Sequence, residues 1–235
     1  MAVSPCSRAG SHPMIVTIDG PAGAGKSSAA RALAQRLGFE FLDTGAMYRA
    51  VTLAALRAGI DRRDQSALAL LLSGIRLQLP PGRILMNDED IAALIRTAEV
   101  TAASRDIADS PVVRRQLVQW QREIAAGRDM VCEGRDQGTV VFPDAACKFF
   151  MVADPLERAR RRLREMASRG EVVDFQTVLQ SQEERDRRDA ARDLAPMVPA
   201  PDAITLDTSH LSMDQVVDLM EKEVDRCRSR PQPRQ

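Results

Sequence analysis

The chain has 235 residues, a length typical of one domain with at most a small inserted lobe. Its 33 basic and 33 acidic residues give a formal net charge of zero, and only 3% of its residues are aromatic. Duplex-binding proteins usually carry a basic excess and single-strand binders need aromatic rings for stacking, so we predict no nucleic-acid partner. Neither a membrane-spanning apolar stretch nor a secretory signal occurs in the sequence, which predicts a cytoplasmic protein with no membrane partner.

Strands and helices alternate from the first ordered segment onward. Residues 14–18 are β-branched and predict a strand, and a Gly-rich turn follows them. Apolar residues at helical spacing predict a helix over 27–37, which Gly38 ends. A second strand, 39–42, and a second helix, 46–58, repeat this order. Further strands are predicted at 130–132, 149–152 and 203–206, and further helices at 111–126, 156–166, 176–191 and 212–224.

The stretch from residue 61 to about residue 127 differs in character. It predicts a short helix over 66–73 and two alternating strands, 75–79 and 84–86, which form a hairpin outside the main sheet. An acidic turn, 87–90, follows the second strand, and Asp109 or Ser110 is expected to cap the long helix that begins at Pro111. We predict that residues 1–13 and the tail 226–235 are disordered.

The alternation of strands and helices predicts an α/β fold with a mostly parallel sheet. In such sheets ligands bind at the carboxyl ends of the strands. The first strand is followed by the pattern G-x-x-x-x-G-K-S, and the residues of this P-loop are Gly20, Pro21, Ala22, Gly23, Ala24, Gly25, Lys26 and Ser27. Its backbone N–H groups suit phosphates, Lys26 suits the β- and γ-phosphates, and the Ser27 hydroxyl suits Mg²⁺. An ordinary Gly-rich turn is the alternative.

Three further segments carry charged residues where a site would lie. Arg49 follows a predicted cap, Asp43 or Thr44, and is either a fork for an acceptor phosphate or a solvated arginine. The segment 133–139 places Arg135 and Asp136 between glycines after a strand, either as a site or as a loop in which these two residues pair.

The third segment is the highly charged helix at 184–192. Arg185, Asp189 and Arg192 lie on one face of that helix at spacings of i, i+4 and i+7. A surface ladder of ion pairs is the alternative interpretation of this run.

Together these segments resemble the bacterial cytidylate kinase family. The resemblance rests on 18–28, 42–49, 133–144 and 185–192, continues through 196–203 and 206–209, and covers about residues 14–225. The heptapeptide from Asp43 to Arg49 is far more specific than the P-loop. The resemblance implies a P-loop nucleoside monophosphate kinase domain over 14–225, with an inserted monophosphate-binding lobe at about 65–120 and a lid region at about 158–192.

The resemblance also implies a role for each site residue. Lys26, Arg135, Arg185 and Arg192 would be catalytic, and Ser28, Arg161 and Arg162 would join the P-loop in binding ATP. Arg49, Arg135 and Arg192 would hold the CMP phosphate, Arg185 and Asp189 the ribose, and Asp136 and Arg114 the cytosine edge. Thr44, Tyr48 and Ser104 would line that pocket, although the stretch from Ser104 to Arg114 is one residue longer than the family pattern.

The implied activity is transfer of the γ-phosphoryl group of ATP to CMP or dCMP, with Mg²⁺ bound at Ser27. A kinase acting on UMP or dTMP is the nearest alternative, and a P-loop NTPase that signals to a partner is an alternative of another class. No long apolar stripe stands out in the sequence, so we expect a monomer.

Overall fold

The computed structural model describes residues 13–80, 82–168 and 170–229. In chain order its elements are β1 (Ile15–Asp19), α1 (Lys26–Leu37), β2 (Glu40–Asp43), α2 (Thr44–Arg57), α3 (Gln65–Ser73), β3 (Leu77–Gln78), β4 (Leu85–Met86), β5 (Glu89–Asp90), α4 (Ala98–Asp109), α5 (Pro111–Ala125), β6 (Met130–Glu133), β7 (Cys147–Val152), α6 (Pro155–Ala167), α7 (Phe175–Ala190), β8 (Ile204–Asp207) and α8 (Met213–Ser229). A 3₁₀ turn, Leu94–Arg96, precedes α4, and a π-helical turn, Gln137–Val141, follows β6.

Five parallel strands form the main sheet in the order β2-β6-β1-β7-β8. The parallel sheet with helices between its strands confirms the predicted α/β class. The register pairs Glu133 with Ile18 on one side and with Asp43 on the other. The carboxyl ends of β1, β2 and β6 therefore meet at one edge, and the turn after β1 leads from that edge into α1.

Each face of the sheet has its own core. Val131 and Phe149 pack with α1 and α8 in one cluster, whereas Met130 and Cys132 pack with α2, α3 and α5 in the other. The split follows from the strand geometry, because successive side chains point to opposite faces. No helix among the described residues is both long and apolar enough to cross a membrane.

The middle region contains a three-stranded antiparallel sheet in the order β3-β4-β5, one strand more than the predicted hairpin. Asn87 and Asp88 have φ angles of 51° and 68° and form a two-residue turn. A turn with two left-handed residues suits a hairpin, since its twist matches that of the flanking strands. The predicted acidic turn at 87–90 is therefore wrong in its second half, which is strand β5.

The prediction omitted helix α4. Its N-terminal residue is capped by Thr97, whose side chain accepts a hydrogen bond from the Val100 N–H group, and its buried face contains Val100, Ala103 and Ile107. This helical spacing is present in the sequence, and the helix packs against α2. Ser110, one of the two predicted caps, caps α5 by accepting a hydrogen bond from the Val113 N–H group.

The last helix extends to Ser229, which corrects the prediction of a disordered tail from residue 226. Cys227 continues the apolar face of α8 and packs against the same core as Val224. The guanidinium carbon of Arg228 lies 5.0 Å from the centre of the Phe39 ring. These contacts supply the reason for the extra turn. The predicted disorder of residues 1–13 concerns a stretch that, apart from Pro13, lies outside the described residues, and so do residues 230–235.

The turn between β1 and α1 depends on glycine. Gly20 has a φ of 135°, which L side chains rarely adopt, and a Cβ added there would collide with the backbone carbonyl oxygen of Met151 in β7. Since that oxygen belongs to the central sheet, neither partner can move easily. Gly38, at the end of α1, also has a positive φ of 68°, but a Cβ there would meet nothing within 4 Å.

Replacing Gly20 with alanine should therefore lower the free energy of unfolding by roughly 3 kcal/mol or more, through the clash and the strained backbone together. Gly38→Ala is the matched control, because it carries only the cost of a left-handed alanine, about 1 kcal/mol. Urea unfolding of both variants measures the difference. Equal losses of stability would contradict the close approach of β7 to the turn.

Candidate active site

Lys26 is a buried cation at the start of α1. Only 5% of the residue is exposed, and its Nζ donates a hydrogen bond of 2.7 Å to the carbonyl oxygen of Pro21. Burial, and then the positive charge of Arg135, lower the pKa of Lys26 below its ordinary value, while Glu133 opposes the shift. A cation in this position, beside the N–H groups of a helix N-terminus, is suited to an anionic phosphate.

The Ser27 hydroxyl links the P-loop helix to the end of β6. Its Oγ donates a hydrogen bond of 2.8 Å to Glu133 Oε1, and Glu133 is itself buried. Burial is the main cause that raises the pKa of Glu133, and the nearby charge of Asp43 adds to it. Hydroxyl and carboxylate oxygens are the hard donors that Mg²⁺ prefers. Within the described ranges, no group of three or more His, Cys, Asp or Glu side chains is arranged to hold a metal ion by itself.

Arg114 and Asp136 form a buried ion pair. Arg114 Nη2 donates to Asp136 Oδ2 at 2.5 Å, and its Nη1 donates to the Ala108 carbonyl oxygen at 2.9 Å. The same guanidinium lies 5.8 Å from the centre of the Tyr48 ring. Burial raises the pKa of Asp136, and the charge of Arg114 opposes that shift. Asp136 thus pairs with a residue of α5 and not with its neighbour Arg135, which excludes the loop-pairing alternative.

Three arginines surround one buried carboxylate, Asp189. Arg192 Nη2 lies 2.5 Å, Arg135 Nε 3.1 Å and Arg185 Nε 3.9 Å from its oxygens. The structure thus brings together the three residues predicted on one helical face, but α7 ends at Ala190, so Arg192 reaches Asp189 from just beyond the helix. Arg192 also donates to Asp109 Oδ1 in α4 at 2.8 Å. Partial burial, and then the charge of Arg135, lower the pKa of Arg185 below its ordinary value, although 40% of its side chain is exposed. We call these four residues, Arg135, Arg185, Asp189 and Arg192, the guanidinium cluster.

Arg49 projects from α2 with a buried donor that has no partner among the described residues. Its Nη2 lies 3.6 Å from Asp43 Oδ1, and its buried Nε has no hydrogen-bond partner among the described residues. Of the two predicted caps of α2, Asp43 is the one that accepts a hydrogen bond from the Ala46 N–H group. Thr44 instead donates from Oγ1 to the Glu133 carbonyl oxygen at 2.8 Å.

The two predicted ATP-side arginines have different surroundings. Arg161 donates to the Thr208 carbonyl oxygen at 2.6 Å, and the Thr208 hydroxyl donates to the Ala24 carbonyl oxygen of the P-loop at 3.1 Å. Arg162 pairs with Glu165 of its own helix at 3.0 Å. Arg161 therefore lies near the P-loop, while the ion pair of Arg162 lies along α6.

Ser104 is the predicted base contact with the weakest structural support. Its Oγ donates to the Thr101 carbonyl oxygen, 2.9 Å away and one turn earlier in α4. Among the described hydrogen bonds, none joins Ser104 to the Arg114–Asp136 pair.

Asp19 is a functional residue that the motifs did not predict, and it fixes the segment after Asp136. Its two carboxylate oxygens accept hydrogen bonds from the Gln137 and Gly138 N–H groups at 2.9 and 2.7 Å. Burial is the main cause that raises the pKa of Asp19 to about 6. The sequence places Asp19 directly before the first glycine of the P-loop, at the carboxyl end of a buried strand, and this position could have identified it as a site residue.

The sequence analysis also missed Arg158 and Asp186. Arg158 Nη1 donates to the Ala22 carbonyl oxygen of the P-loop at 2.9 Å and pairs with Asp186 of α7. Nothing in the Arg-rich run of α6 distinguishes Arg158, which bonds the P-loop backbone, from the arginines of the same helix that face solvent.

Comparisons with known proteins agree on one family. The cytidylate kinase family model matches residues 16–226. A cytidylate kinase of Rhodopirellula baltica is 50% identical over 203 residues, which cover 86% of this chain and 89% of that protein. A cytidylate kinase of Pelotomaculum thermopropionicum is 46% identical over 87% of this chain and 93% of that protein.

A solved structure supports the fold. The crystal structure of an uncharacterized protein from Eubacterium ventriosum aligns with a TM-score of 0.53 and 14% sequence identity, covering 92% of this chain and 99% of that one.

The lowered pKa of Lys26 predicts that a nucleoside triphosphate binds together with a proton. With its pKa lowered to about 7, Lys26 is mostly neutral at pH 8.5 without a ligand, and phosphate charges should raise its pKa and protonate it. Calorimetric titration with a non-hydrolysable ATP analogue in two buffers of different ionisation enthalpy should show uptake of up to one proton. Lys26→Met should abolish this uptake and Lys222→Met, at an exposed position of α8, should retain it. Binding of the analogue without proton uptake would contradict the assigned state of Lys26.

Proposed function

The chain belongs to the cytidylate kinase family, and we propose that it transfers the γ-phosphoryl group of ATP to CMP or dCMP, giving ADP and CDP or dCDP. The observation that carries the proposal is the buried Arg114–Asp136 pair at the carboxyl edge of the sheet. Cytosine presents an amino donor at position 4 and an unprotonated acceptor nitrogen at position 3. A carboxylate accepts from the first and a guanidinium donates to the second, so the pair complements this edge.

Phosphate recognition falls to the arginines around this pair. Arg49 has a buried Nε without a hydrogen-bond partner among the described residues. In the guanidinium cluster three guanidinium groups contact Asp189, and Asp109 is a second partner of Arg192 alone. This local excess of positive charge suits the phosphate of CMP and the phosphoryl group in transfer. We assign Arg49, Arg135 and Arg192 to the CMP phosphate, and Arg185 and Asp189 to the ribose.

ATP would bind through the P-loop, with Lys26 at its β- and γ-phosphates and Arg161 beside the loop. Ser27 and Glu133 are the residues suited to hold Mg²⁺, which would help to neutralise the phosphate charge during transfer. Ser28 follows Ser27 in α1, within the helix N-terminus that faces the phosphates. Arg162 would have to leave Glu165 to reach the nucleotide.

The chemistry needs alignment more than proton transfer. The acceptor is a phosphate oxygen, which is already anionic near neutral pH, so no general base is required. The contribution of the chain is to hold donor and acceptor in line and to surround the transferring group with Lys26 and arginines. Closure of the region 158–192 over both nucleotides would exclude water and limit hydrolysis of ATP.

The monomeric state, the cytoplasmic location and the absence of nucleic-acid partners stay predictions.

ATP turnover by the purified chain should depend on CMP and on Mg²⁺. A coupled assay of ADP release should show a rate with CMP far above the rate without it, and EDTA should abolish the CMP-dependent part. Equal turnover of ATP with and without CMP would contradict the kinase proposal and favour a P-loop NTPase.

Asp136→Ala should lower kcat/KM for CMP and narrow the ratio of CMP to UMP activity. With UMP, the carboxylate meets a carbonyl and Arg114 meets an N–H group, and two such mismatches of about 1–3 kcal/mol each give discrimination of roughly tens to thousands of fold. Arg49→Ala should lower kcat/KM for CMP and for UMP by the same factor, because Arg49 would contact only the phosphate. Asp88→Ala, which breaks an exposed ion pair with Arg76, is the control that should change neither.

The measurement for these variants is kcat/KM for CMP and for UMP. If Asp136→Ala lowers kcat/KM for both substrates by the same factor, Asp136 does not recognise the base.

A further inference from the structure

Both peptide groups of one P-loop residue are engaged by a single buried ion pair. The Ala22 N–H group donates to Asp186 Oδ1 at 3.1 Å, and the Ala22 carbonyl oxygen accepts from Arg158 Nη1 at 2.9 Å. Arg158 Nη1 also pairs with Asp186 Oδ2. The three residues therefore form a closed hydrogen-bonded ring that joins the P-loop, α6 and α7.

The ring is held in place from two further directions. Arg158 Nε donates to the Ala153 carbonyl oxygen just beyond β7 at 3.1 Å, and the Arg158 side chain is only 7% exposed. Gln182, one turn before Asp186 in α7, lies against the next P-loop residue, since a Cβ added to Gly23 would be 2.7 Å from Gln182 Nε2. Helix α7 thus sits directly on the first half of the P-loop.

Two other residues of α7 close to Asp186 belong to the guanidinium cluster. Arg185 precedes Asp186, and Asp189 follows it by three residues and contacts three arginines. A helix is stiff over one turn, so a shift of Asp186 relative to Ala22 also shifts Arg185 and Asp189 relative to Lys26. The distance between the donor-phosphate groups and the acceptor-side arginines is therefore set in part by this ring.

We propose that Arg158 and Asp186 are positioning residues that fix the guanidinium cluster in register with the P-loop for phosphoryl transfer. The inference rests on the proposed function. Neither residue is assigned to a nucleotide, so their loss should act on alignment and not on recognition of the base. Misplacement of reacting groups by about 1 Å can cost on the order of 100-fold in rate.

The test is Asp186→Asn, which keeps the size of the side chain but removes the charge that faces Arg158. We expect kcat for CDP formation to fall by about 10- to 100-fold, while KM for CMP changes by less than about threefold. We also expect more ATP to be hydrolysed to phosphate for each CDP formed, because loosened alignment admits water. A residue that serves only stability would not change this ratio when assayed well below the melting temperature.

Asp202→Asn is the matched control. Asp202 pairs with Lys148, another cation whose side chain is only 7% exposed, at 2.8 Å. Lys148 lies near the start of β7, in register with Thr17 of β1, and Asp202 itself lies in the turn before β8. This variant should lose stability but keep kcat and the hydrolysis ratio within about twofold of the unmodified protein, because the described contacts of the Asp202 carboxylate reach Lys148 alone and neither the P-loop nor the guanidinium cluster.

Two further variants keep the test decisive if Asp186→Asn folds poorly. Arg158→Lys retains the charge but loses the planar fork, and it should shift kcat and the hydrolysis ratio in the same direction. The double variant Arg158→Gln with Asp186→Asn should have a kcat no lower than the slower of Arg158→Gln and Asp186→Asn measured alone. The reason is that the effects of substitutions at residues that act as a unit are not additive.

The outcomes separate this inference from the proposed function. Absence of CMP-dependent turnover in the unmodified protein would reject the function itself. Normal turnover in the unmodified protein, together with Asp186→Asn and Arg158→Lys variants that match Asp202→Asn in kcat and in the hydrolysis ratio, would overturn the positioning role alone.

Discussion

Charged groups buried at one edge of the parallel sheet need partners of opposite charge, and much of the site is arranged to provide them. Because β1, β2 and β6 run in the same direction, their carboxyl ends deliver Asp19, Asp43 and Glu133 to the same place. Burial raises the pKa of Asp19 to about 6 and also raises that of Glu133. Lys26 lies among them with a lowered pKa. Such a cluster is costly in the empty protein, which is typical of sites shaped for a charged ligand.

The same constraint explains why the acceptor side is already paired within the chain. Arg114 pairs with Asp136, and Asp189 pairs with the arginines of the guanidinium cluster. Removing one member of a buried pair leaves an uncompensated charge, whereas exchanging a protein partner for a ligand partner does not. A phosphate bound at the cluster as proposed would exchange one ionic partner for another, whereas the neutral cytosine edge would hydrogen-bond to Arg114 and Asp136 while these two charges stay paired. The excess of arginine over carboxylate at the cluster favours the phosphate.

Local sequence patterns predict the sheet, the P-loop and most helices because each depends on residues close in the chain. The G-x-x-x-x-G-K-S pattern lies after a strand and before a helix, and the structure has it there. Contacts between distant segments cannot be predicted from such local patterns. Asp136 bonds Arg114, 22 residues away, and Ala22 bonds Asp186, 164 residues away, so spacing alone could not identify these partners. Helix α4 could have been predicted, because Val100, Ala103 and Ile107 lie at helical spacing. Strand β5 was missed because it follows a two-residue turn, and the acidic residues of the turn and of the strand together resemble one longer turn.

The central claim is that this edge of the sheet recognises cytosine on an acceptor phosphate. The most direct measurement is the kcat/KM of the unmodified protein for CMP, dCMP, UMP, dTMP and AMP at fixed Mg-ATP. CMP and dCMP should exceed UMP by roughly tens to thousands of fold, since cytosine and uracil differ only in the groups that would face Asp136 and Arg114. Equal values for CMP and UMP would contradict it, because a pocket that holds phosphate and ribose alone would accept both.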